Sequence, residues 1–174
     1  MDINIARLRA EFDYDWDRGG LIRKKSGRWT GSLRVWRVGY RYISFQGVNR
    51  RVHRLVWVWH YGAIPSNKQV DHIDRDRLNN RIENLRLVTR CENKRNSGLY
   101  MNSTSGYKGV YFKKARQQWC AQIQYDGKTR RSLGYYSDPA EAARAYDEAA
   151  IRLHGDYAVT NASLGLLHEE PRHA

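Results

Sequence analysis

A polar break at residues 97–106 is the feature that most limits how this chain can fold. Its sequence, SGLYMNSTSG, is rich in Ser, Gly, Asn and Thr and has no apolar periodicity, which is typical of a linker. The patterns of apolar residues differ on its two sides, and no internal repeat is evident. We therefore predict two units, 1–97 and 106–162, joined by a linker at 98–105 and followed by a tail at 163–174.

The first unit is predicted to begin with β-structure. Residues 20–52 contain short runs separated by glycine-marked turns, and YRYISF at 40–45 roughly alternates apolar and polar positions. The run VHRLVWVWHYGAIP fits either a buried strand or a short helix, and Gly62 and Pro65 at its end favour the helix. Residues 70–96 then predict a strand, a polar loop, a second strand and a helix.

The second unit is predicted to contain three short strands and one helix. The strands are GVYFKK, WCAQIQY and TRRSLGYY, and Asp126-Gly127 predicts a tight hairpin between the last two. The helix has Asp138 as N-cap, Pro139 in its first position and Glu141 completing a capping box. The whole chain is thus predicted to be of the α+β class.

The charge balance points to a polyanionic partner. There are 31 Lys+Arg against 18 Asp+Glu, a formal net charge of +13, which favours nucleic acid or an anionic membrane surface. No apolar run approaches the ~20 residues that span a bilayer, and the start lacks the layout of a signal peptide. Two cysteines, Cys91 and Cys120, are too few for a disulfide framework or a cysteine zinc site. These features predict a reduced cytosolic protein that binds nucleic acid.

Residues 70–96 combine the side chains that a metal-dependent phosphodiesterase needs. Asp71 and Asn93 offer hard oxygen ligands suited to Mg²⁺ or Mn²⁺, and a neutral His72 can take a proton from water. Regular alternation would send Asp71 and His72 to opposite faces of a strand. The two side chains can therefore share a site only where the strand ends or bulges.

Other interpretations of the same stretch are weaker. A calcium loop of the EF-hand kind would need a third ligand where Leu78 stands, and a glycine that is absent. A zinc site would need clustered Cys or His. Each residue taken alone fits a capping or turn role, with the asparagines satisfying loop backbone. It is the combined spacing that favours a site.

The stretch VHRLVW…VDHIDRDRLNNRIENLRLVTRCENKRN resembles the HNH nucleases, in particular phage and intron-associated homing endonucleases, over residues 40–97. The resemblance implies a ββα-metal unit in which Asp71 and Asn93 bind one divalent ion and His72 is the general base. Asn84, twelve positions after His72, would brace the loop and orient His72. Asn93 stands where the family name has its second His, as in many phage members. Further positions near the motif are the supporting residues His53, Asn80 and Asn96, and the phosphate-binding residues Arg54, Arg75, Arg86 and Lys94.

The second unit shows no plausible catalytic pairing. Its segments GYKGVYFKK, WCAQI and LGYYSDPAEAARAYDEAAIRLHGDYAVTN resemble the plant ethylene-response-factor (apetala-type) DNA-binding domain. The resemblance implies a three-stranded antiparallel sheet that enters the major groove, with the helix packed behind it. Ser132 replaces a contact Trp of that family, so the fold carries over while the base preference does not. DNA contacts are expected from Lys108, Tyr111, Lys113, Gln122, Gln124 and Arg130, and also from the basic Arg116.

These expectations combine into a site-recognising DNA endonuclease of the homing type, whose first unit cuts and whose second unit reads DNA. The predicted partner is double-stranded DNA, the predicted cofactor is one Mg²⁺ or Mn²⁺ ion, and the protein is predicted to be a monomer or weak homodimer. If it is encoded by a phage, it would act in the cytoplasm of the bacterial host. The alternatives are a DNA-binding regulator with an inactive HNH unit and a protein that binds or cuts RNA.

Overall fold

A computed structural model describes residues 3–29, 39–99, 103–125 and 129–167 of the 174-residue chain. The chain forms two compact units, Met1–Arg90 and Cys91–Ala174. Each unit mixes helices and strands, which confirms the predicted mixed class. Within the described ranges, no helix is both long enough and apolar enough to cross a bilayer.

In the described residues of the first unit, two α-helices and seven short strands precede a third α-helix that begins at Arg90. In chain order these elements are α1 (Ile5–Glu11), β1 (Phe12–Tyr14), β2 (Leu21–Arg23), β3 (Arg28–Trp29), β4 (Tyr42–Phe45), β5 (Val48–Arg51), α2 (Val52–Tyr61), β6 (Lys68–His72), β7 (Leu85–Thr89) and α3 (Arg90–Arg95). Strands β1, β2 and β3 form one antiparallel sheet, and β4–β5 and β6–β7 form two-stranded antiparallel sheets.

The core of the first unit lies between α2 and the surrounding strands. Leu55 and Val56 of α2 are fully buried, together with Leu8, Phe12 and Phe45 of the preceding elements. Helix α2 ends at Gly62, whose φ of +86° is readily adopted only by glycine. The sequence prediction of a helix here is confirmed. Helix α1 was not predicted.

The second unit contains a three-stranded antiparallel sheet and a long helix. Its strands are β8 (Val110–Lys113), β9 (Gln118–Gln124) and β10 (Arg130–Tyr136), in the spatial order β10-β9-β8, and its helix is α4 (Pro139–His154). The predicted hairpin turn at Asp126-Gly127 lies outside the described residues. The Asp138 side chain accepts hydrogen bonds from the Ala140 and Glu141 N–H groups, which confirms it as the N-cap of α4.

The sheet and α4 share a core of small side chains. Ala121 of β9 packs with Ala142 and Ala143 of α4, and all three are fully buried. Gly109, with φ of +78°, precedes β8 at a point where a Cβ atom would lie 2.1 Å from the Tyr146 ring. Only glycine fits there, so the edge of the sheet lies directly against α4.

Candidate active site

Asp71 and His72 are the last two residues of strand β6. In the antiparallel pairing with β7, Asp71 lies opposite Arg86 and His72 opposite Leu85, without a bulge. Both side chains are buried, at 8% and 4% exposure. The chain turns directly after His72, where the Ile73 N–H donates to the Asn84 carbonyl at 2.9 Å. The strand therefore ends at His72. A strand end at this point is what we predicted Asp71 and His72 would need in order to share a site.

The His72 ring is held by Asn80. His72 Nε2 lies 3.1 Å from Asn80 Oδ1, and Asn80 is itself 4% exposed. The Asn80 amide nitrogen donates to the Leu78 carbonyl at 3.3 Å, so its oxygen is the atom turned toward the ring. Because Asn80 Oδ1 can only accept a hydrogen bond, Nε2 of His72 must carry a proton and donate it. In the neutral ring the lone pair is then on Nδ1. The hydrogen-bond network thus assigns Nδ1 as the basic nitrogen of His72.

Asn84 braces the loop between β6 and β7. Its Oδ1 accepts from the Asp74 N–H at 3.1 Å, and its Nδ2 donates to Asp74 Oδ1 at 2.8 Å and to the Asn79 carbonyl at 2.9 Å. Burial acts to raise the pKa of Asp74, but hydrogen bonds from Asn79 and Asn84 outweigh it, so the pKa lies below its ordinary value. The hydrogen bond to the His72 ring comes from Asn80, which the sequence analysis had placed only as supporting.

Asp71 faces a guanidinium group. Arg86 Nε lies 3.2 Å from Asp71 Oδ2, and the side chains are 20% and 10% exposed. Arg86 was predicted to hold a DNA phosphate; in the structure its charge is paired with Asp71. A buried carboxylate is costly without a nearby positive charge, and Arg86 provides that charge for Asp71.

The donor set fits a hard divalent cation better than zinc. In the described part of the chain, no three His, Cys, Asp or Glu side chains lie together as a ready-made metal cage. Asp71 offers one carboxylate at the end of β6. One or two protein oxygens completed by water and phosphate oxygens are a common ligand set for Mg²⁺.

Asn93 lies in helix α3, and Asn96 is the first residue after it. The helix starts one residue after β7 ends, so strand, strand and helix follow in the order that the sequence predicted. Asn93 is partly buried. Asn96 is 7% exposed, and its N–H donates to the Glu92 carbonyl at 3.1 Å at the end of the helix.

His53 packs against His72 and carries no charge at neutral pH. It is 3% exposed on α2, and its ring centroid lies 4.9 Å from that of His72. Burial holds the pKa of His53 well below its ordinary value of 6.5, with the charges of His72, Arg51 and Arg54 acting in the same direction. Of the packing and phosphate-contact roles considered from sequence, this burial supports packing.

This burial predicts that the first unit loses stability in mild acid. Below pH ~6.5, His53 binds a proton in the unfolded chain but not in the folded chain. The free energy of unfolding therefore decreases as the pH drops, by at most about 1.4 kcal/mol per pH unit. Urea unfolding at pH 7.5, 6.5 and 5.5, followed by tryptophan fluorescence, measures the effect, because five of the six tryptophans precede residue 91. His53→Gln should flatten the dependence.

His60→Gln is the matched control for that measurement. Burial is the main cause that lowers the pKa of His60, and the negative charge of Glu83 partly offsets it. The shift is smaller than that of His53. This variant should therefore retain most of the pH dependence. If the two variants retain equal dependence, His53 is not the main acid-sensitive group.

Three of the predicted phosphate-binding residues of the motif are exposed. Arg54 lies on α2, Lys94 on α3, and Arg75 in the turn after β6 with φ of +69°. Their charges are accessible to a polyanion, unlike that of Arg86.

Tyr40 lies beside the two histidines and was not identified from sequence. Its ring centroid is 5.0 Å from that of His53 and 6.1 Å from that of His72. The guanidinium carbons of Arg51 and Arg77 lie 4.6 and 5.0 Å from the Tyr40 centroid. No spacing relates Tyr40 to the motif, so only the fold reveals this cationic rim.

In the second unit, one sheet face carries most of the predicted DNA contacts. Ala121 and Ile123 of β9 are buried in the cores shared with α4, so the alternating residues Gln122 and Gln124 turn to the opposite face. Together with Tyr111 and Arg130, these glutamines line a cavity of about 350 Å³. The exposed members of the predicted set are Tyr111, Lys113, Arg116 and Arg130.

A tyrosine hydrogen bond and a cation–π contact add to the chemistry of this face. A hydrogen bond with Cys120 is the main cause that raises the pKa of Tyr111 to about 12, so the phenol stays protonated. Arg116 lies over the Tyr135 ring, with 4.4 Å between the guanidinium carbon and the centroid. The face is therefore cationic and aromatic with neutral hydrogen-bonding groups.

Lys108 does not join this face. The residue is 8% exposed, and its Nζ donates to the carbonyls of Arg95 and Ser97 at 2.8 and 2.6 Å. The predicted DNA contact through this ammonium is thus replaced by contacts inside the unit.

Comparison with known proteins gives two family matches. A family model described as HNH endonuclease matches residues 50–95, and one described as AP2 domain matches residues 105–156. Protein 3.8 of Escherichia phage T7 is 33% identical over 117 residues, which cover 67% of this chain and 94% of that protein. The uncharacterized HNH endonuclease L560 of Acanthamoeba polyphaga mimivirus is 32% identical over 120 residues, covering 68% of this chain and 61% of that protein.

One solved structure is also similar. It is described as "DNA binding and cleavage by the HNH homing endonuclease I-HmuI", and the similarity covers 88% of this chain and 91% of that chain. The sequence identity is 22% and the TM-score is 0.44.

Proposed function

Since the chain belongs to the HNH endonucleases that carry an AP2-type DNA-binding domain, we propose that it is a metal-dependent, site-recognising endonuclease of the homing type that hydrolyses phosphodiester bonds in double-stranded DNA. The observation that carries the proposal is the buried His72 ring, fixed by Asn80 at 3.1 Å and adjoining Asp71 at the end of β6. If the chain is phage-encoded, the reaction takes place in the bacterial cytoplasm.

HNH nucleases generally use a divalent metal ion, and carboxylate and amide oxygens suit such an ion. We assign Asp71 and Asn93 as its protein ligands, with Mg²⁺ or Mn²⁺ as the ion. When bound, the ion supplies stabilisation of the negative charge that develops on the phosphate and on its leaving oxygen.

The chain itself supplies the proton acceptor. His72 Nδ1 takes the proton from the attacking water, while Asn80 keeps the opposite nitrogen protonated and the ring in place. The neighbouring His53 remains neutral because burial lowers its pKa, so it adds no charge that would oppose protonation of His72. Asn84 keeps the loop that carries Asn80 closed.

The second unit supplies affinity and register. Its face of Tyr111, Gln122, Gln124 and Arg130 combines groups that read base edges with charges that hold phosphates. With one HNH site per chain, a single binding event cuts one strand. A double-strand break would then need a second copy of the chain or a second binding event.

Arg130→Ala tests the role of this face. Arg130 is exposed, and loss of one phosphate contact should weaken DNA binding and lower the slope of log affinity against log salt by about 0.9. The slope is measured by fluorescence anisotropy between 50 and 300 mM KCl. Arg144→Ala, an exposed arginine on α4, is the matched control and should leave the slope unchanged. Equal slopes for wild type and Arg130→Ala would remove Arg130 from the interface.

The nuclease proposal is tested with supercoiled plasmid carrying phage genomic fragments, incubated with Mg²⁺, Mn²⁺ or EDTA. Conversion to nicked or linear DNA that needs the metal supports the proposal, and the form produced gives the number of strands cut. Tight binding to the same fragments without cleavage under either metal would instead identify a regulator whose HNH unit is inactive. Competition by RNA at equal strength would favour the RNA alternative.

A further inference from the structure

Helix α3 is too short to be ordered by itself. It has six residues, and none of its side chains is fully buried. Isolated helices of this length are marginal in water, so contacts with the rest of the chain, including those at its ends, must order α3. At its C-terminal end, backbone carbonyls need hydrogen-bond donors from outside the helix.

Lys108 provides those donors. Its ammonium group bonds the carbonyl of Arg95, the last helical residue, at 2.8 Å, and that of Ser97 at 2.6 Å. A positive charge at a helix C-terminus is favourable, and a buried ammonium is strongly unfavourable unless it keeps its acceptors. The Lys108 ammonium therefore holds the end of α3 in place, because breaking these hydrogen bonds would leave a buried charge without acceptors.

The backbone of Lys108 is in turn fixed to the core of the second unit. Its N–H donates to Asn161 Oδ1 at 2.6 Å, and Asn161 Nδ2 donates back to the Lys108 carbonyl at 3.2 Å. Asn161 is fully buried, and its Nδ2 also donates to Asp147 Oδ1 on α4 at 2.8 Å. A continuous chain of hydrogen bonds thus runs from α4 through Lys108 to the end of α3.

A second contact ties the same segment to the sheet. Arg95 Nη2 donates to the Tyr125 carbonyl, just beyond the end of β9, at 3.1 Å. The last residue of α3 is therefore also bonded to the chain at the end of β9.

We propose that Lys108 is a positioning residue that holds α3, and with it the metal ligand Asn93, on the DNA-binding unit. This inference rests on the proposed function, because it takes Asn93 as a metal ligand. It follows that the AP2 domain does more than tether the nuclease to DNA: without Lys108, α3 frays and the metal site loses the amide oxygen of Asn93.

The test compares Lys108→Met with wild type and with Arg144→Met, which removes an exposed charge from α4 of the same unit. Three quantities are measured on the full chain: amide hydrogen exchange in residues 91–97 without DNA or metal, DNA affinity, and the Mg²⁺ concentration for half-maximal cleavage. For Lys108→Met we expect faster exchange in 91–97, DNA affinity within about twofold of wild type, and a Mg²⁺ midpoint raised about tenfold, as for loss of groups that orient metal ligands. Arg144→Met should match wild type in exchange and in the Mg²⁺ midpoint.

Two further substitutions distinguish a specific effect of Lys108 from general unfolding of the variant. Lys108→Arg keeps a cation with several donors and should recover most of the Mg²⁺ affinity. Lys108→Gln keeps a neutral donor and replaces Lys108→Met in all three measurements if the latter does not fold.

An unchanged Mg²⁺ midpoint with normal exchange in 91–97 would overturn the inference. So would a loss of DNA affinity as large as the loss of cleavage, because Lys108 would then act as a DNA contact. Absence of cleavage in wild type itself would reject the nuclease proposal, while faster exchange in Lys108→Met would still establish Lys108 as the anchor of α3.

Discussion

His72→Ala should reduce DNA cleavage about a thousandfold while leaving DNA affinity within about twofold of wild type. A positioned general base contributes typically 10²–10⁴ in rate, and His72 is the one imidazole at the end of β6 with its ring fixed by Asn80. The side chain is 4% exposed, so it adds little to the surface that meets DNA. Single-turnover cleavage of a mapped target, beside anisotropy with the same duplex, separates the two effects.

His53→Ala is the control for this loss. It removes the same atoms from a buried ring that packs on His72, and so carries a comparable packing cost without removing the base. We expect this variant to be less stable to urea and to keep cleavage within about tenfold of wild type. If His72→Ala cuts at the wild-type rate, the base assignment is wrong. Equal losses in the two variants would mean that packing, and not proton transfer, explains both.

Asn161→Ala should destabilise the second unit by about 3 kcal/mol. The substitution leaves the Lys108 N–H and carbonyl without their partner inside the unit, and each unsatisfied buried group costs about 1–3 kcal/mol. It also removes the bond to Asp147. For a unit of this size we expect a melting temperature roughly 15 °C lower, measured by calorimetry on the full chain.

Glu148→Ala is the matched control, since Glu148 is exposed on α4 and its loss should shift the melting temperature by little. A change below about 0.5 kcal/mol in Asn161→Ala would show that water replaces its hydrogen bonds. DNA binding should be lost together with the folded second unit, and retained by Glu148→Ala.

Helices with clear end signals were predictable from sequence. Asp138 followed by proline, and Gly62 after an apolar run, mark points where backbone geometry allows few alternatives. Helix α1 has no such pattern. It is seven residues long with Leu8 as its one buried side chain, and its cap is the hydrogen bond from the Arg7 N–H to Asn4 Oδ1.

The asparagines of the loop show where sequence reasoning reached its limit at the site. The motif identified Asp71, His72 and Asn93 because their residue types and spacing are restrictive. It assigns the orientation of His72 to Asn84, whereas the hydrogen bond to the ring comes from Asn80, because the path of the turn decides which asparagine reaches the ring. The turn includes Arg75 at φ of +69°, a conformation that no local pattern predicts.

Lys108 shows a second limit. A lysine on the first strand region of a basic unit fits a DNA contact by type and by resemblance. Its burial depends on the end of α3, which precedes it in the chain and bonds the Lys108 ammonium through two backbone carbonyls. Carbonyl groups are the same in every residue, so the sequence carries no trace of this contact.

The division of the chain between Arg90 and Cys91 changes where reader domains can be exchanged by recombination. A crossover inside the polar segment 98–105 would separate α3 from Lys108 and join it to a foreign domain. In that hybrid, the C-terminal carbonyls of α3 would lack the Lys108 ammonium as a hydrogen-bond donor. A crossover ahead of Cys91 would transfer helix and anchor together. Productive chimaeras should therefore inherit α3 from the same parent as the DNA-reading sheet.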